Sequence, residues 1–126
     1  MYKDAFDLDA RMVELVKVLG LSHVDISRVR CLRSKGSSTR RTIARCHTIG
    51  KVMQKAIGIG AWYAIEFLEP FEKLDFREQN KVILHELMHI PKSFGGGFRH
   101  HDFVCDKNVD ILYEKFESLK KSQKFQ

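Results

Sequence analysis

The sequence predicts an α+β fold: a short, mostly antiparallel three-stranded sheet packed on a buried helix, with one further helix near each end of the chain. Three patterns carry this expectation. Apolar residues alternate at period two in three segments, they recur at helical spacing near both ends, and residues 82–90 are apolar almost all round a helix. The 126 residues suffice for one domain, 1–126, with a core that needs no disulfides.

Asp7 to Leu19 is the first helix, with Leu8, Met12, Leu15 and Leu19 on one face, acids early, and Gly20 as its stop. From Ile26 to Leu32 the alternation of Val29 and Cys31 against Arg28, Arg30 and Leu32 reads as a half-exposed strand. Thr42–Ile49 is a second strand, expected to form a hairpin with the first across the Ser34–Ser38 turn. Lys51–Ile57 is a short helical or irregular crossover. Trp62–Phe67 is the third strand, with Tyr63, Ile65 and Phe67 on one face and Ala64 and Glu66 on the other. Asp75 followed by Glu78 makes an acidic capping box, so the buried helix starts near Phe76 and runs to Ile90, where Pro91 ends it. A last amphipathic helix begins near His101 and carries Cys105, Val109, Leu112, Phe116 and Leu119; residues 121–126 are expected to be a frayed tail.

The chemistry lies on the buried helix. His85-Glu86-Leu87-Met88-His89 places two imidazoles four residues apart, on one face, where they can grip a single ion. Glu86 stands about 100° round the helix, beside the pair but outside it, where a carboxylate serves as general base toward a metal-activated water. On so apolar a helix these three polar groups are costly unless each has a strong partner. A divalent cation provides one.

The third ligand is expected to be His101. Extending the last helix backwards at about 100° per residue puts His101 at the edge of the apolar stripe and His100 about 140° from its centre. The first residue of a helix need not follow its period, so His100 and Asp102 stay open as alternatives. The glycines of Phe94-Gly95-Gly96-Gly97-Phe98 suit a chain that turns sharply to bring a ligand back. The strand before the helix, through Tyr63, Ile65 and Phe67, is the expected edge for an extended substrate.

The net charge of +6 is concentrated in residues 23–60, where nine Lys/Arg face one acid, Asp25. Such an excess suits nucleic acid or an acidic protein surface as a partner. The chain has no run of membrane-spanning length, and its start lacks the order of a signal peptide, so a cytoplasmic location is expected. Cys31, Cys46 and Cys105 are odd in number and lack C-x-x-C spacing, against both a disulfide framework and a thiolate cluster.

From His85 to Pro91, then Phe94–Arg99 and His101-Asp102, the chain resembles the metallopeptidases of archaea and their viruses and phages, relatives of SprT-like and WLM-type zincins. The resemblance implies a small zincin-like domain, one zinc ion per chain and hydrolysis of peptide or protein substrates. The metzincin spacing is excluded, because Lys92 and Gly95 stand where it needs Gly and His. His100-His101 also stands where the resembled family has Pro-His. The leading function is therefore a zinc metallopeptidase with His85, His89 and His101 as ligands and Glu86 as base. The alternative is a non-enzymatic zinc protein that binds nucleic acid through residues 23–60.

Overall fold

The computed structural model describes residues 1–36 and 41–124. Arg40, one of the cations in the basic stretch, lies outside the described residues, as do Ser37, Ser38 and the tail residues Phe125 and Gln126. The strands are β1 (Tyr2–Asp4), β2 (Val29–Ser34), β3 (Ala44–Thr48) and β4 (Tyr63–Phe67); the helices are α1 (Phe6–Leu19), α2 (Lys51–Ile57), α3 (Phe76–Met88) and α4 (Asp106–Gln123). Short 3₁₀ turns at Ile26–Arg28 and Glu69–Lys73 lead into β2 and towards α3.

The α+β class stands, but the sheet differs from the expected three mostly antiparallel strands. It has four strands in the order β1-β2-β4-β3, antiparallel at β1/β2 and β3/β4 and parallel at β2/β4. β1 has only three residues, all exposed, so no alternation marks it in the sequence. The expected hairpin between residues 26–32 and 42–49 does not form, because β4 lies between those strands. The physical reason is burial. Tyr63, Ile65 and Phe67 are each at most 1% exposed, and a strand this apolar is best covered as an interior one.

Helices α1, α3 and α4 pack together on one side of the sheet and share its core, into which Leu8, Met12, Ile65, Ile83, Leu84 and Leu87 insert. α1 ends as its sequence predicts: Gly20 takes φ 65° and the Leu21 N–H returns to the Val16 carbonyl at 2.9 Å. α4 extends to Gln123, into the stretch expected to fray. Among the described residues no helix is long and apolar enough to cross a membrane. Cys31, Cys46 and Cys105 are free.

Buried polar groups join the three helices. Asn80 on α3 accepts from Arg11 Nε on α1 at 3.0 Å and donates to the Tyr113 hydroxyl on α4 at 3.2 Å. The same guanidinium also donates to Gln79 Oε1 and the Phe76 carbonyl. Truncating Asn80 would leave two partners unsatisfied at once. Asn80→Ala should therefore cost about 1–3 kcal/mol in urea unfolding of the metal-free chain, seen as a lower midpoint at unchanged slope. An unshifted midpoint would show that water replaces Asn80 at no cost.

Candidate active site

α3 starts where Asp75 accepts the Glu78 N–H at 2.8 Å, and its last turn carries His85 and Glu86. The helix ends two residues earlier than expected, yet His89 at its C-cap keeps helical angles (φ −71°, ψ −17°). It therefore stays above His85, with the two ring centroids 5.1 Å apart. The ring of His101 comes to 5.9 Å from His85 and 4.9 Å from His89. One ring nitrogen from each of the three residues lies within 4.8 Å of the other two.

The route by which His101 arrives differs from the helical extension described above. α4 begins at Asp106 with Cys105 as an extended N-cap, so His101 has no helical phase. It lies in a turn closed by the His100 carbonyl, which accepts from Phe103 N–H at 3.1 Å and Val104 N–H at 3.0 Å. Val104, buried beneath this turn, fastens it to the core. His100 and Asp102 are exposed and outside the imidazole cluster.

The connection between α3 and His101 is pinned at three points. Arg99 and His89 bond each other twice: the Arg99 N–H donates to the His89 carbonyl at 2.7 Å, and His89 Nδ1 meets the Arg99 carbonyl at 2.6 Å. A carbonyl can only accept, so Nδ1 carries the proton and the Nε2 lone pair is left for a ligand bond. The Tyr63 hydroxyl accepts from Gly96 N–H at 3.0 Å and donates to the Gly97 carbonyl at 2.8 Å. Gln54 Nε2, from α2, donates to the Gly95 carbonyl at 3.0 Å and to that of Ile49 at 2.8 Å. Gly96 needs its glycine, since φ is 98° and a Cβ would run into Gln54 and the Ile49 carbonyl.

Electrostatics prepare the same groups. Burial, then the charges of His89 and His101, hold His85 below the usual imidazole range against the opposing pull of Asp106. Burial likewise lowers His89. Neutral imidazoles are what a metal needs. Glu86 is 6% exposed, and burial pushes its carboxyl up to about 7. Its Oε2 is the only buried side-chain nitrogen or oxygen among the described residues that has no hydrogen-bond partner. Three converging imidazoles beside an orphaned carboxylate oxygen fit a divalent cation with an open position.

The remaining expected residues fall elsewhere. Tyr63, Ile65 and Phe67 belong to an interior strand and are buried in the core, so β4 is not an exposed edge for substrate. Trp62, Ala64 and Leu68 make that segment apolar on both faces, a pattern that could have marked it as interior. The edge strand on the side of the site is β3, and its Ala44, Arg45 and Cys46 line a cavity of about 290 Å³ with His85, Glu86, His89 and His101. The basic stretch is spread in space. Arg33 bonds Asp7 and Glu72, while Arg30 and Arg45 lie exposed on the opposite face of the sheet. Arg28 lies 3.7 Å from Asp25.

Comparison with known proteins gives a family match that runs from β1 to within three residues of the end of α4. Over residues 1–120 the chain fits the family described as "Putative phage metallopeptidase". No curated protein and no solved structure matches it. Such a family implies a metal, which the three converging imidazoles could hold, and the chain belongs to this family of phage metallopeptidases.

Proposed function

We propose that the protein is a zinc-dependent peptidase in which His85, His89 and His101 hold one ion and Glu86 is the general base. The observation that carries this reading is the unpartnered Glu86 Oε2, buried beside three imidazoles. A closed structural zinc site has no use for such a group, whereas hydrolysis needs a proton acceptor at that place. Zinc, when bound there, supplies Lewis acidity toward a carbonyl oxygen and toward water. The likeness to SprT-like and WLM-type zincins belongs to the same reading.

The chain's own residues do the rest. The Arg99 carbonyl fixes the ring of His89, and the Tyr63 hydroxyl fixes the loop that delivers His101. Glu86, with a pKa near neutrality, can take a proton from the attacking water and return it to the leaving amine. Among the described residues β3 is the edge strand beside the site, so an extended peptide can pair with its outer edge and lay its backbone across the cavity. Antiparallel pairing is the favoured arrangement, being slightly more stable per residue.

Three variants of the zinc-loaded chain test the roles. Glu86→Gln should keep one zinc per chain and lose peptide hydrolysis, His101→Ala should lose both, and His100→Ala should keep both. Elemental analysis and a peptide-cleavage assay read the outcome. A Glu86→Gln variant that cleaves like the parent would remove Glu86 from the mechanism. Zinc loss on His100→Ala but not His101→Ala would move the third ligand.

The raised Glu86 pKa also sets a pH dependence for the metal-free chain. The folded state holds this proton up to about pH 7, while the unfolded chain releases it near the ordinary 4.5. Folding therefore takes up a proton between those values, and stability is greatest below them and falls as pH rises. At about 1.4 kcal/mol per pKa unit the loss is up to about 3 kcal/mol. In chelator, the parent should weaken relative to Glu86→Gln between pH 4 and pH 8, read from urea midpoints. Parallel pH curves for the two proteins would contradict it.

A further inference from the structure

A second cavity, of about 500 Å³, opens beside the site and shares Ala44, His85 and Glu86 with the cavity around the imidazoles. It lies between the segment leading into β3 and the facing sides of α3 and α4. Its floor is apolar, with Ile43, Val82 and Val109. Its helix wall carries Glu78, Asp106 and Asp110 against a single cation, Lys81. Lys81 sits 3.0 Å from Asp110 and 3.8 Å from Glu78, so those two carboxylates already share one ammonium. Asp106 has no lysine or arginine partner among the described residues, and its charge acts on the neighbouring His85 ring. Arg41, three residues before Ala44, also lines the cavity and is its second cation.

The direction of β3 decides which part of a substrate meets this groove. β3 runs from Ala44 to Thr48, with the imidazole cavity at Ala44–Cys46 and the second cavity at its start. A peptide lying antiparallel on its edge runs the other way. Its residues after the cleaved bond therefore pass from the imidazoles into the groove. A lysine or arginine entering there lays its methylene stem over Ile43, Val82 and Val109 and brings its charge to the α4 wall. An aspartate or glutamate meets the same carboxylates as like charges.

We propose that this groove selects a basic side chain immediately after the scissile bond, and that Asp106 is the residue that determines the preference; the proposal rests on the peptidase reading and on β3 as the substrate edge. Asp106 contacts neither the reacting bond nor the ion in this account. It acts on substrate choice.

The test uses a synthetic peptide library with randomised central residues. Bonds cut by the zinc-loaded chain are read by mass spectrometry. In parallel, the same library is passed over immobilised zinc-loaded Glu86→Gln protein, and the retained peptides are sequenced. Lys and Arg should follow the cut about tenfold more often than Asp and Glu, the scale of one partly exposed charge pair gained against one repelled. Retained peptides should be enriched in the same way. Asp106→Lys, alone or combined with Glu86→Gln, should reverse both preferences when the proteins are compared at equal zinc loading. No basic preference in cutting or capture, a basic preference only before the cut, or a preference untouched by Asp106→Lys would overturn the proposal. Capture that is basic-selective and Asp106-dependent without any cutting would uphold the groove and sink the peptidase reading instead.

Discussion

The two hydrogen bonds between His89 and Arg99 are the constraint on which the site depends. α3 can supply two imidazoles from one face, and no more, because a third residue at the required height would lie past the helix end at Pro91. The third must return from further along the chain, and holding a glycine-rich loop in one shape costs conformational entropy. Arg99 meets that cost close to the site. Its N–H and carbonyl both bond His89, so one contact orients a ring, sets its tautomer and places the chain two residues before His101. Tyr63 and Gln54 repeat the principle further back in the loop. A core tyrosine on an interior strand thereby holds the loop that leads to His101.

Two buried glutamates show how the same side chain serves two ends. Glu66, 5% exposed on β4, accepts from Ser34 Oγ at 2.7 Å and meets His47 Nε2 at 2.8 Å. Burial pushes its carboxyl up, but those bonds and the charges of His47 and Arg45 outweigh it, and the group stays below the ordinary carboxylate range. Glu86, buried to the same degree, has no compensating bond on Oε2, so burial alone decides and the pKa rises to about 7. The first glutamate is spent on joining three strands. The second carries a cost in stability, which the catalytic role proposed for it would explain.

Much of this was legible in the residues. The four-residue spacing of His85 and His89, the Asp75–Glu78 cap and the Gly20 stop are local signals, and local signals survive into the structure. What the sequence hid depends on partners distant in the chain. Three residues of β1 carry no period, and the place of β4 between β2 and β3 follows from competition for burial. That competition also moved the exposed edge from β4 to β3. His101 meets the other rings through a turn anchored by Val104, where the reading of its position relied on a helix that begins five residues later. The agreement in residue hides a difference in cause.

In the function proposed, three imidazoles hold one ion and leave it open beside Glu86. Zinc K-edge X-ray absorption on the chain loaded with one equivalent of zinc tests it directly. Three nitrogen neighbours of imidazole type at about 2.0–2.1 Å and one light oxygen neighbour, with no sulfur, are expected. A sulfur shell at about 2.3 Å, as Cys46 would give, or four imidazole nitrogens, would mean a closed site and contradict it.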